Sequence, residues 1–207
     1  LNSHNIVKVR EVQEAIRELY GVDASRYEED AAKKLYIRRI YDMIPSQMEN
    51  KKKRIVAKDI LDRKGDRFSN YMEEFEYLIN SGITIVSHAI SNPKYPLAES
   101  QQKNLLKLYM NDVGMLTSQL YHYNIQPILN DIASINLGSV YESAVAQELK
   151  AHYEKLFYYD NKQKGEVDFL VDDSGTMSVL PIEVKSGKDY TVHSALDNLM
   201  SIQDYHI

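Results

Sequence analysis

The 207-residue sequence predicts an α+β fold, helical in its first part and rich in strands towards its C-terminus, and three observations carry that prediction. Apolar residues recur at helical spacing from Val9 to Ile79. The β-branched run Ile83 to Ile90 breaks that period. A second group of apolar strands follows Phe157, two of them separated by Asp172-Asp173-Ser174-Gly175, which suits a hairpin turn. With 43% hydrophobic and 27% charged residues, the chain is long enough to bury one real core or two small ones.

Taken in order, Val9 to Tyr20 sets Val12, Ile16 and Leu19 on one helical face, and Gly21 reads as its C-terminal cap. Ala31 to Met48 carries Leu35, Ile37, Ile40, Tyr41 and Ile44 in helical order until Pro45 interrupts, and its exposed face is basic. Ile55 to Leu61 suffices for two turns, and Asp62 to Asp66 with Gly65 forms a short loop. Phe68 to Ile79 gathers Tyr71, Phe75, Leu78 and Ile79 on one side. After the strand Ile83 to Ile90, a turn with Pro93 and Pro96 leads to a second strand, Leu105 to Met110.

Three helices, a strand, a turn and a strand match the outline of a winged helix-turn-helix. Its recognition helix would be Phe68 to Asn80, where Glu73, Glu74 and Glu76 would face phosphate badly if they pointed outward together. Helices then follow from Val113, from Pro127 to Ile135, and from Ser139 to Leu156. The strands Phe157 to Tyr159, Glu166 to Val171 and Thr176 to Val184 come next, before a last helix, Ser194 to Gln203. The expected domains are a linking helix at 1–30, a winged-helix-like domain at 31–112 and an α/β domain at 113–207.

Composition narrows the function classes. The absence of cysteine removes disulfides and thiolate metal sites and suits a reducing compartment, so a cytoplasmic location is expected. No stretch approaches the roughly 20 apolar residues of a membrane span, and Leu1-Asn2-Ser3-His4 lacks the character of a signal peptide. The chain is expected to be a piece of a longer polypeptide. A net charge of -5 argues against a wholly basic nucleic-acid-coating protein, yet Lys33 to Arg67 holds twelve basic residues against five acids. Within it, Lys51, Lys52, Lys53 and Arg54 are the candidate nucleic-acid contacts, with a solvated helix face as the competing reading. The six histidines show no metal-ligand spacing and read as surface or core residues.

The candidate chemistry lies in the last strands. Asp168 sits within Gly165-Glu166-Val167-Asp168-Phe169, and Glu183 and Lys185 within Ile182-Glu183-Val184-Lys185-Ser186-Gly187. Strand alternation puts Glu183 and Lys185 on one face, and a hairpin partner brings Asp168 beside them. Two carboxylates and an ammonium suit a hard divalent ion, Mg²⁺ or Mn²⁺, that activates water against a phosphodiester. Glu142 shares a helical stripe with Val145, Ala146 and Leu149 and is expected to point at the same ion.

The order Glu142, Asp168, Glu183-Val184-Lys185 resembles the PD-(D/E)XK nuclease superfamily, of restriction-endonuclease-like fold. That resemblance implies metal ligation by Asp168 and Glu183, water alignment by Lys185 and support from Glu142. Over about 40–194 the chain is also similar to archaeal-type AAA ATPases whose C-terminal region is called domain of unknown function 4143. The similarity rests on Lys107 to Leu116, Leu137-Gly138-Ser139-Val140-Tyr141-Glu142, and the segments around Asp168 and Glu183. It implies an ATPase partner in the same polypeptide, upstream of Leu1, because no Gly-x-x-x-x-Gly-Lys-Ser/Thr occurs here. DNA is the expected ligand. The alternative is a retired nuclease fold that holds a protein partner or the ATPase in an oligomer.

Overall fold

The computed structural model describes residues 5–50, 53–122, 126, 130, 137–186, 193–202, 205 and 207. Among these lie seven α-helices and five strands in a mixed sheet, an α+β architecture. The chain forms two compact units, Leu1–Ile85 with Leu108–Asn136, and Val86–Lys107 with Leu137–Ile207. Each is built from two chain segments, because strands β1 (Thr84–Ile90) and β2 (Gln101–Met110) carry the chain from one unit into the other and back.

In the first unit, α1 (Ile6–Asp23) begins at Asn5, whose side chain accepts from the N–H groups of Val7 and Lys8. Gly21 is not its cap. It lies buried inside the helix, where a Cβ would come within 2.3 Å of the Arg38 guanidinium, so the residue serves close approach and the helix runs on to Asp23. Helix α2 (Ala31–Glu49) is capped by Asp30 and continues through Pro45. An interior proline costs a helix roughly 3 kcal/mol, and here Ile44, Pro45 and Met48 are all buried, so core packing offsets the lost backbone bond. Helices α3 (Ala57–Leu61) and α4 (Met72–Asn80), the latter entered by a 3-10 turn at Phe68–Tyr71, pack on α2 with Ile60, Phe75 and Leu78 buried. Helix α5 (Val113–Tyr121), capped by Asp112, holds α1 through Arg10, which donates to Thr117 Oγ1 at 2.7 Å and to the Gly114 carbonyl at 3.3 Å. The helix expected from Pro127 to Ile135 falls mostly outside the described residues.

The second unit is built on the sheet, whose strand order is β2-β1-β3-β4-β5. Helix α6 (Gly138–His152) precedes an antiparallel meander of β3 (Leu156–Asn161), β4 (Gly165–Asp173) and β5 (Ser178–Ile182), and α7 (Ser194–Met200) follows. Strand β1 pairs in parallel with β3, Ser87 opposite Leu156 and Ile90 opposite Tyr159, so the strands expected as a wing extend a larger sheet. The β4–β5 turn closes on Asp173, which accepts from the Gly175 N–H at 2.9 Å and the Thr176 hydroxyl at 2.7 Å. Ile90, Leu97, Phe157, Tyr159, Val167, Leu170, Val179 and Leu199 form the core on one face, where α7 packs.

The β3–β4 ladder changes register in the middle. Phe157 faces Leu170 and Tyr159 faces Val167, so Tyr158 alone opposes both Asp168 and Phe169. One extra residue on β4 makes a β-bulge, which locally re-aims side chains and breaks strict alternation. It lets Val167 and Leu170, three apart, face the same core.

Candidate functional site

The bulge carries Asp168. In the β4–β5 ladder the last pair is Phe169 facing Ile182, so Asp168 and Glu183 each lie immediately beyond it. The Asp168 carboxylate accepts from the Val184 N–H at 2.8 Å, which ties the end of β5 to the bulge. Glu183 and Lys185 lie just beyond the last β5 residue, Ile182, so a direct bond rather than strand alternation brings them together: Lys185 Nζ is 2.5 Å from Glu183 Oε1. The Glu183 side chain is only 6% exposed, and its Oε2, 3.8 Å from His193 Nδ1, has no hydrogen-bond partner among the described residues.

Glu142, on α6, is buried and bonded elsewhere. Its carboxylate accepts from Lys107 Nζ at 3.1 Å, and the same ammonium lies 2.6 Å from Glu166 and 4.9 Å from the centre of the Tyr158 ring. Lys107 is wholly buried in β2, and two strands separate β2 from β4, roughly 14 Å of backbone spacing bridged by two long side chains. Burial alone would lower the pKa of Lys107, but the carboxylates of Glu142, Glu166 and Asp168 outweigh it, and the pKa is raised. Lys107 is the charged hub of this unit.

The structure therefore joins Glu183 to Lys185 and Asp168 to Val184, whereas Glu142 is held to Glu166 through Lys107. Among the described residues no three His, Asp or Glu side chains group closely enough to hold a metal ion together. Mg²⁺ usually takes only one or two carboxylates and completes its shell with water and phosphate oxygens. Glu183, its side chain buried with one oxygen lacking a hydrogen bond among the described residues, fits that role, and Asp168, bonded to the neighbouring Val184 N–H, is the candidate second carboxylate. Glu142 and Glu166 fit it poorly, since Lys107 already balances their charge.

Sequence reasoning missed Lys107, Glu166 and His193. Lys107 had left a signal, a lone charge within Leu105 to Met110, where the other residues are apolar. Of the candidate nucleic-acid contacts, Lys51 and Lys52 lie outside the described residues, while Lys53 and Arg54 are half-buried. No helix among the described residues is long and apolar enough to cross a membrane.

Fold and site together define an α+β protein whose second unit carries a buried Lys107–Glu142 pair and a partly exposed group of Asp168, Glu183 and Lys185 at its sheet. The chain belongs to the family described as Domain of unknown function (DUF8612), which matches residues 2–124. A second family, Domain of unknown function (DUF4143), matches residues 137–206, the stretch that holds Glu142, Glu166, Asp168, Glu183 and Lys185. No curated protein and no solved structure matches the chain.

Proposed function

We propose that the second unit is a PD-(D/E)XK-like nuclease module, which hydrolyses phosphodiester bonds with Mg²⁺ or Mn²⁺ on DNA presented by an AAA-type ATPase of the same polypeptide. The observation that carries this reading is the hydrogen bond that ties Asp168 to the Val184 N–H, next in sequence to Glu183, with Lys185 bonded to Glu183, on a three-stranded meander that follows a helix. The match of residues 137–206 to DUF4143 supports the ATPase context.

In this reading Asp168 and Glu183 hold the divalent ion through carboxylate oxygens. The ion supplies charge neutralisation at the phosphate and an acidified water. Lys185, a third exposed, can release Glu183 and donate to a phosphate oxygen or to the attacking water. Glu142 acts as a positioning residue, fixing the Lys107 ammonium that also meets Glu166 of β4.

Supercoiled plasmid incubated with the longer protein and Mn²⁺ tests the activity. Lys185→Ala is expected to slow nicking about 10²-fold or more, the usual effect of removing one preorganised donor. Nicking that persists at full rate in Lys185→Ala would contradict the assignment.

DNA contact by the basic segment belongs to the same proposal, supported by the twelve basic residues against five acids between Lys33 and Arg67. Reversing the charges at Lys51, Lys52, Lys53 and Arg54 is expected to weaken DNA binding. It should also flatten the logarithmic salt dependence by about 0.9 for each phosphate that is no longer neutralised. An unchanged slope removes this segment from the DNA face.

One observation favours the second reading, a non-catalytic module that holds a protein partner or the ATPase in an oligomer. Lys107 supplies the counter-charge for Glu142 and Glu166 from within the chain, and the described residues hold no three-ligand group. Absence of nicking in the wild type, together with capture of the ATPase by the chain, is the outcome that reading requires.

A further inference from the structure

His193, which precedes α7, stands beside the Glu183 carboxylate. Its Nδ1 and Glu183 Oε2 are both buried atoms without a hydrogen-bond partner among the described residues, and 3.8 Å separates them. That spacing is too long for a hydrogen bond, which needs about 2.7–3.2 Å. It suits two atoms that share one ion: with both bonds about 2.1–2.2 Å long, the angle between them is roughly 120–130°. Such an angle is equatorial in a five-coordinate site, and a small shift of either side chain makes it tetrahedral. Lys185 takes the other oxygen of Glu183, which leaves Oε2 directed at the histidine.

We infer that Glu183 and His193 form a mixed oxygen and nitrogen site that selects a first-row transition-metal dication, Mn²⁺ or Zn²⁺, over Mg²⁺. The inference rests on the reading of Glu183 as a metal ligand and adds to it the identity of the metal. Imidazole binds borderline metals well, whereas Mg²⁺ prefers oxygen donors and retains its waters. Water and phosphate oxygens complete the coordination, so a tightly closed structural site is not required.

Pulsed electron paramagnetic resonance on the full chain loaded with Mn²⁺ reads the ligand directly. Wild type should show nitrogen coupling from one imidazole, and both His193→Ala and His193→Gln should lose it while retaining the wild-type circular dichroism. Titration should give these variants about tenfold or greater loss of Mn²⁺ affinity, with Mg²⁺ affinity changed by no more than about twofold. Mn²⁺ binding that needs Asp168 but shows no nitrogen coupling overturns the histidine ligand and leaves the carboxylate site standing. No Mn²⁺ binding in the wild type overturns both.

Discussion

Lys107→Met is expected to destabilise the protein by about 3–5 kcal/mol, because it removes one partner of a buried ion cluster and leaves the others in place. Methionine nearly preserves the volume of lysine, so packing changes little and the lost charge dominates. Glu142, 1% exposed, and Glu166 would then be carboxylates in low dielectric without their cation. The double variant Lys107→Met with Glu142→Gln should recover a large part of the loss, since it removes both sides of the pair. The pKa of Lys107 is raised above its ordinary 10.5, so its stabilising contribution is fully present below that value and disappears only as pH rises through the higher folded value. Urea unfolding of the wild type should therefore show no pH dependence from Lys107 between pH 6 and pH 8. A penalty below about 1 kcal/mol would mean that the carboxylates do not depend on this ammonium.

Phe169→Ala should cost a similar amount, about 3–5 kcal/mol, by the cavity left in a close-packed interior. Phe169 is completely buried and forms the second residue of the bulge, between Asp168 and the core residue Leu170. The conservative Phe169→Leu should cost only about 1 kcal/mol, because most of the volume is kept. Chemical denaturation of both variants checks the size of the effect. A small penalty for alanine would show that the ring is not fixed where β4 changes register, and would weaken the case that the bulge sets the aim of Asp168.

Much of the architecture was legible because periodicity in this chain is strong. The helix with Ile37, Ile40, Tyr41 and Ile44 buries those four residues, whereas Leu35 of the same pattern and Val12, Ile16 and Leu19 of α1 are exposed, and the β-rich runs around Val167 and Val179 do form strands with both residues buried. Local rules failed where tertiary packing overrode them. Pro45 reads as a stop, yet its ring is buried in α2, and Gly21 reads as a cap, yet it makes room for Arg38. The acids Glu142, Asp168 and Glu183 were visible as charges placed among apolar residues. Their partners were not, because Lys107 meets Glu142 across 35 positions of sequence, a pairing set by the sheet. The bulge at Asp168 carries no glycine or proline to mark it, and His193 looked like one scattered histidine until α7 was placed beside Glu183.

Calorimetric titration of the chain with Mn²⁺ and with Mg²⁺, wild type against Asp168→Ala, bears most directly on whether Asp168 and Glu183 form one divalent-metal site. Saturable uptake of one ion by the wild type, lost in Asp168→Ala while thermal unfolding shows that the variant remains folded, is the expected result. Heat signals that are absent from the wild type, or identical in the folded variant, would contradict a shared metal at these two strands.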